Sequence, residues 1–289
     1  NLVVVALVGA WKLNGRLRSL MDVWEEQQTL VSPSRWLLIW PAIALFETIF
    51  AFAQLTPSFR SRPIVQEGIS YFFVHTCLGQ MGWMLFFSAE MFLPAFLSIL
   101  YTLLSLLSLK LSQDFVLGMH RPHTNRTNRT NPNLHGVGGL LTKMKEAEYW
   151  FLRFPFHFHL GWTVVVASVT LSIFVVQCGS SGVVELTASL VILSVWLLVA
   201  FFFVIVLAPG GGGALDFTIP LVVILAYIGI GVALRSPSET LITRFNGDEI
   251  SGLSATSFAL AILVGLLVMP GVAFRIFREH FTIHVTQVE

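Results

Sequence analysis

Apolar residues fall in long runs along this chain, and short polar stretches separate one run from the next. A helix needs about 20 such residues to cross roughly 30 Å of hydrocarbon. Segments 34 to 55, 67 to 88, 90 to 111, 154 to 177, 182 to 207, 214 to 234 and 252 to 276 meet that length. The opening Leu2 to Trp11 is half as long, and it is expected to be the end of a further helix that begins upstream. The pattern predicts an all-α, polytopic transmembrane bundle of about eight spans, forming one transmembrane domain over residues 1–289.

Chain breakers agree with these limits. Ser32-Pro33 precedes the second predicted helix, Thr56-Pro57 follows it, Pro155 opens the fifth, and Pro209 with Gly210 to Gly213 separates the sixth from the seventh. Connections are short except for residues 112–148. That stretch holds His120-Arg-Pro-His123, the tandem Asn125-Arg-Thr-Asn-Arg-Thr130 and a Gly-rich run ending at Gly139. Such a composition buries no core of its own, so a mobile loop is expected. Lys143 to Tyr149 then predicts an interfacial helix, its charges beside Trp150 and Phe151 at headgroup level.

Composition settles the class. Of 289 residues, 55% are hydrophobic and 11% charged, with a mean hydropathy of +0.77, whereas about a quarter of a soluble domain is charged. This is the profile of an integral membrane protein. A net charge of +1 with scattered arginines leaves no footprint for nucleic acid. Cys77 and Cys178 belong to separate predicted helices and read as packing residues, not as a disulfide framework or zinc site.

When loops alternate sides, most of the 17 Lys and Arg fall on the face with Arg60, Arg62, the long loop, Arg275 and Arg278. That face, and loop 112–148 with it, is expected on the cytoplasmic side or its stromal or matrix equivalent, as in a thylakoid or mitochondrial inner membrane. The sequons at Asn125 and Asn128 would then escape glycosylation.

Polar residues inside the spans are the candidates for chemistry: Glu47, Gln54, His75, Gln80, His157 and His159. An ionisable group in hydrocarbon costs several kcal/mol and usually faces a protein interior, partner or ligand. A guest or an adjoining protein is expected to compensate these groups. Trp40, Glu47 and Gln54 recur every seven residues, which places them on one helical stripe. Glu47 would serve a ligand, a pigment metal or a proton, or else bond a neighbouring helix as the protonated acid.

In the third span, His75-Thr-Cys-Leu-Gly-Gln80-Met-Gly-Trp83 puts Gln80 and Trp83 on one face, while Gly79 and Gly82 permit close backbone approach. The segment fits either a wall for a flat apolar molecule or a tight helix crossing. His157 and His159, two residues apart, point to nearly opposite faces and cannot chelate one metal. His75, His157 and His159 are each candidates for axial ligation of a tetrapyrrole metal, the alternative being a hydrogen bond to a carbonyl.

Other features carry less. Asp216 suits capping of the seventh helix. Gly210 to Gly213 lacks the Gly-Lys-Ser/Thr ending of a phosphate loop, and His120, His123 and His135 are irregularly spaced for a metal. The absence of a Ser-His-Asp set or other catalytic signature argues against an enzyme.

Four segments resemble the TspO/MBR superfamily, more closely its branch of tryptophan-rich sensory proteins. They are Leu13-Asn14-Gly15-Arg16, then Ser32-Pro33 with Trp36-Leu-Leu-Ile-Trp40, Gln80-Met-Gly-Trp83 with Leu85-Phe86-Phe87, and Pro155-Phe156 with Leu160-Gly161-Trp162. The resemblance implies a five-helix bundle, extended here by extra spans, with a cleft for porphyrins, sterols or similar ligands. It places Trp36, Trp40, Trp83 and Trp162 in that cleft. Gln80 and Thr170 stand where the family pattern has Asn.

Together these features point to a non-enzymatic TspO-like membrane protein that binds a tetrapyrrole (chlorophyll or porphyrin), carotenoid or lipid as scaffold or sensor. The expected ligand-binding residues are Trp36, Trp40, Glu47, His75, Gln80, Trp83, His159, Trp162 and Thr170. Membrane lipids and other membrane protein subunits are the expected partners. The alternative is an accessory, pigment-holding subunit of a photosystem or respiratory supercomplex, which the 25 Phe also suit. A secondary transporter would need two related halves with interrupted helices, and no convincing repeat is present.

Overall fold

Proline and turn residues set several of the helix ends seen in the structure, a computed structural model that describes residues 20–33, 39–119, 149–205 and 217–287. Among these residues the regular structure is entirely helical. Helix α1 (Leu20–Glu26) precedes Ser32-Pro33. Helix α2 (Ile39–Ala53) stops just before Thr56-Pro57, and Pro57 opens the single turn α3 (Pro57–Arg60). A π turn, Ile64–Ile69, leads into α4 (Phe72–Ser88), followed by α5 (Phe92–Met119). A second π turn, Tyr149–Arg153, enters α6 (Phe154–Gln177), with Pro155 in its first turn, where a missing backbone donor costs nothing. The chain continues through α7 (Gly182–Ile205), α8 (Thr218–Ala233), the short α9 (Glu239–Arg244) and α10 (Gly247–Gln287).

Each full span read from the sequence has its helix: α2, α4, α5, α6, α7, α8 and α10. Phe92–Val116, Tyr149–Gln177, Gly182–Val204 and Gly247–Pro270 are long and apolar enough to cross a membrane, and α2 and α8 are shorter apolar helices. The expected first helix at Leu2 to Trp11 lies outside the described residues, as do Gly210 to Gly213, Asp216, both sequons and His120, His123 and His135. One boundary moves. The loop expected over 112–148 begins later, because α5 runs on to Met119. Gln113 Nε2 donates to the Leu152 carbonyl at 2.9 Å, and Asp114 takes ion pairs from Lys110 at 2.6 Å and Arg153 at 2.7 Å. These bonds fix the extra turns against the second π turn.

Helix α6 occupies the centre. In its span 67% is buried, against 39% in α5 and 28% in α7 and α10, and α2, α5, α7 and α8 all pack on it. Its hydroxyls cause no conflict there: Thr163, Ser168 and Thr170 donate to the carbonyls of His159, Val164 and Val166 one turn back. Helices α4 and α5 form an antiparallel hairpin through Ala89-Glu90-Met91, with Glu90 at φ 58°. Lipid tails are as apolar as leucine, so close backbone packing must hold such a pair. Gly79 provides it: a Cβ there would sit 2.4 Å from Thr102 Oγ1 and 2.9 Å from Tyr101 Cδ1. At Gly82 the nearest atom, Ser98 Oγ, would be 3.1 Å away. The tight crossing weighed for this segment is thus realised on the glycine face.

Gly79→Ala is expected to destabilise the protein by about 1–3 kcal/mol, the usual effect of overpacking. Gly82→Ala should cost less, because a serine hydroxyl can turn aside. Denaturant unfolding in detergent micelles, followed by circular dichroism, measures both.

Candidate functional site

Helix α2 buries a narrow stripe, Ile39, Trp40, Ile43, Glu47 and Phe50, which is the helical face on which the sequence places Trp40 and Glu47. The stripe meets α6. Glu47 is 4% exposed and His159 fully buried, and Glu47 Oε1 lies 2.6 Å from His159 Nδ1. The carboxylate expected to await a guest is therefore compensated inside the chain. A short bond between an acid and an imidazole offsets much of the cost of placing either in a low-dielectric interior. It also fixes the ring. With Nδ1 engaged by Glu47, Nε2 points elsewhere, and among the described residues it is buried without a hydrogen-bond partner.

Aromatic rings wall the pair on the side toward α4. Trp40 meets the His159 ring edge-on, with centroids 5.8 Å apart, and stacks on Trp83 at 5.3 Å. Trp83, fully buried, donates its indole N–H to Thr170 Oγ1 on α6 at 3.1 Å. Three helices are tied at this point: α2 through Glu47, α4 through Trp83 and α6 through His159 and Thr170. The ring column continues from Trp83 to Phe87 at 5.2 Å and on to Trp24 of α1 at 6.0 Å. One turn beyond Glu47, Phe50 packs edge-on against Phe156 at 4.7 Å and Phe73 at 5.4 Å.

Of the expected ligand-binding residues, Trp40, Glu47, Trp83, His159 and Thr170 come together in this way. Gln80 is buried on the Trp83 face of α4, and Trp162 is buried one turn beyond His159 on α6. Indole nitrogens of Trp40 and Trp162 are buried without hydrogen-bond partners among the described residues. Trp36 lies outside the described residues.

His75 does not join the cluster. It sits on the outer surface of α4, hydrogen-bonded through Nδ1 to the Tyr101 hydroxyl of α5. His157 is fully buried, and its spacing places it on the opposite side of α6 from His159, near Gly161, where α8 approaches through Ile219 and Val222. The three histidines are separate, and no three His, Cys, Asp or Glu side chains gather as a metal site among the described residues. Cys77 and Cys178 form no disulfide, and Cys178 is exposed at the end of α6. Gln54, the third member of the stripe, is half-buried past the end of α2.

Sequence reasoning missed several polar ties. Lys110, Asp114 and Arg153 form an ion-pair triad, and the Lys110/Asp114 spacing of four was the available signal. Trp196 donates to Ser168 at 3.0 Å and Tyr227 to the Leu193 carbonyl at 2.6 Å. No sequence spacing links these pairs, because each joins two different helices.

Removing either member of the central pair strands the other. Glu47→Leu or His159→Leu alone is expected to cost about 3–5 kcal/mol, and the double substitution distinctly less than the sum. A double-mutant cycle on unfolding in detergent reads the coupling; strictly additive losses would show that the two side chains do not interact.

Comparison with protein families adds an independent line. The model of the family described as TSPO-like protein matches residues 1–269, which takes in every element of the site. No curated protein and no solved structure matches the chain. With nearly the whole chain matched, this integral membrane protein belongs to the TSPO-like family.

Proposed function

We propose that this protein binds a large, mostly apolar ligand, of the tetrapyrrole, carotenoid or lipid kind, at the Trp40–Trp83–His159 cluster. It acts there as a scaffold or sensor without bond chemistry of its own. One observation carries the proposal: Trp40 Nε1, Trp162 Nε1 and His159 Nε2, all on the buried faces of α2 and α6 that meet here, are unpartnered among the described residues. Unpaired polar atoms in hydrocarbon are costly, and flat aromatic walls with a few fixed polar atoms are what apolar ligand sites are made of. His159 has a further property. A carboxylate on Nδ1 orients an imidazole and leaves Nε2 as its open ring nitrogen, as in metal-bound histidines, so this atom would meet the metal or polar edge of a guest.

A second reading rests on His75 and Tyr101. Tyr101 lies nine residues into the Phe92–Val116 span, about 13 Å at 1.5 Å per residue, which is mid-membrane depth, and its pair with His75 faces outward. Polar groups at that depth usually face protein. A neighbouring subunit covering them fits an accessory role in a larger membrane complex.

Visible absorption of the gently purified protein tests the first reading, together with quenching of tryptophan fluorescence by added protoporphyrin IX or β-carotene. About one ligand per chain is expected, with occupancy lowered several-fold by His159→Leu and by Trp162→Phe. Absence of both chromophore and quenching would remove the proposal. Under the second reading, native electrophoresis of solubilised membranes should show co-migration with a larger complex, weakened by His75→Leu.

A further inference from the structure

An open cavity lies far from the tryptophan cluster in sequence and shares no residue with it. It has a volume of about 670 Å³, opens to the surface, and is lined by the end of α8, the short α9 and the start of α10. That volume is within the range of small-molecule sites, roughly 300–1,000 Å³. Helix α8 ends at Ala233 and the apolar stretch of α10 begins at Gly247, so the cavity sits where helices leave the hydrocarbon. Helix α9 runs between them with Leu241 buried and Ile242 58% exposed, the arrangement of a helix lying in the interface.

The lining divides by chemistry. Ile242, Phe245, Ile250 and Phe258 give an apolar wall, and Arg235 and Ser251 give a polar side. Arg235 carries the only charge in the lining, which has no carboxylate. Its guanidinium lies over the Phe258 ring, 4.6 Å from the centroid, drawn down onto the apolar wall. Among the described residues no acid pairs with it. Of the neighbouring charges, Arg244 lies 3.3 Å from Glu185, Glu249 accepts from the Asn246 backbone N–H at 2.9 Å, and among the described residues neither Glu239 nor Asp248 forms an ion pair with Arg235. The Ser254 hydroxyl likewise donates to the Gly231 carbonyl.

We propose that this cavity holds one anionic phospholipid, its phosphate against Arg235 and an acyl chain along the wall toward Ile242. A cation stacked on an aromatic ring at the membrane boundary, without a protein anion, is matched by a headgroup phosphate. The adjoining apolar wall suits a fatty chain and not a free ion.

The test uses the whole chain in mild detergent with equal amounts of phosphatidylglycerol and phosphatidylcholine, read by native mass spectrometry. One phosphatidylglycerol per chain should be retained in preference to phosphatidylcholine. Arg235→Gln should lower that retention roughly fivefold, the effect of one interfacial cation, and Arg235→Lys should keep the preference. Ala255→Phe, which fills the cavity while leaving Arg235 in place, should lower retention of the lipid as well. Arg60→Gln, an equal charge change elsewhere, should leave it unchanged and so separates the site from general surface charge. Equal retention of the two lipids, indifference to both Arg235→Gln and Ala255→Phe, or displacement of the lipid by inorganic phosphate would each overturn the proposal.

Discussion

The hydrogen bond between Glu47 and His159 sets the terms for the rest of the bundle. Inside hydrocarbon, apolar side chains gain little by touching one another instead of lipid, so helix association depends on close packing and on polar groups that have nowhere else to go. A carboxyl at 4% exposure and an imidazole at 0% must meet, and their meeting fixes the rotation of α2 and α6 about their axes. Trp40, two turns away on the same stripe of α2, is thereby brought against His159 and Trp83. Trp83 in turn reaches Thr170. The register of three helices follows from a handful of polar atoms.

Elsewhere the same demand is met locally. Serine and threonine hydroxyls in α6, α7 and α10 return to carbonyls one turn back on their own helices and so need no partner helix. Lys110 and Arg153 both pair with Asp114 near the end of α5, where two cations share the two oxygens of one carboxylate. Other buried polar atoms, Ser88 Oγ and Ser172 Oγ among them, also lack a hydrogen-bond partner, but those of Trp40, Trp162 and His159 gather in one aromatic cluster. Those in the tryptophan cluster are the reason to expect a guest there, and Arg235 is the counterpart at the membrane boundary. The two places ask for different chemistry: planar and apolar in one, phosphate with a chain in the other.

Family membership and geometry contribute different things. The TSPO-like match over residues 1–269 establishes what kind of membrane protein this is. The acid–imidazole pair is an observation of geometry, in which Glu47 Oε1 lies 2.6 Å from His159 Nδ1. Thr170 has a defined task, accepting the Trp83 indole N–H at 3.1 Å, which a hydroxyl performs as well as an amide.

The sequence alone determined the helical class, the membrane setting and the position of seven helices, four of them long and apolar enough to cross a membrane, because hydrocarbon thickness dictates length and proline dictates ends. It also put Trp40 and Glu47 on one stripe and His157 and His159 on opposite faces, since helical geometry is local. It did not reveal that Glu47 meets His159, that His75 turns outward to Tyr101, or that Arg235 lies over Phe258. Periodicity specifies the face of a helix but not which helix stands opposite, nor at what depth. The end of α5 was misjudged for the same reason: polar residues 112 to 114 read as loop until Leu152 and Arg153, distant in sequence, supply the bonds that keep them helical. Only the packed bundle decides those contacts, because they are energies between segments and not properties of any one of them.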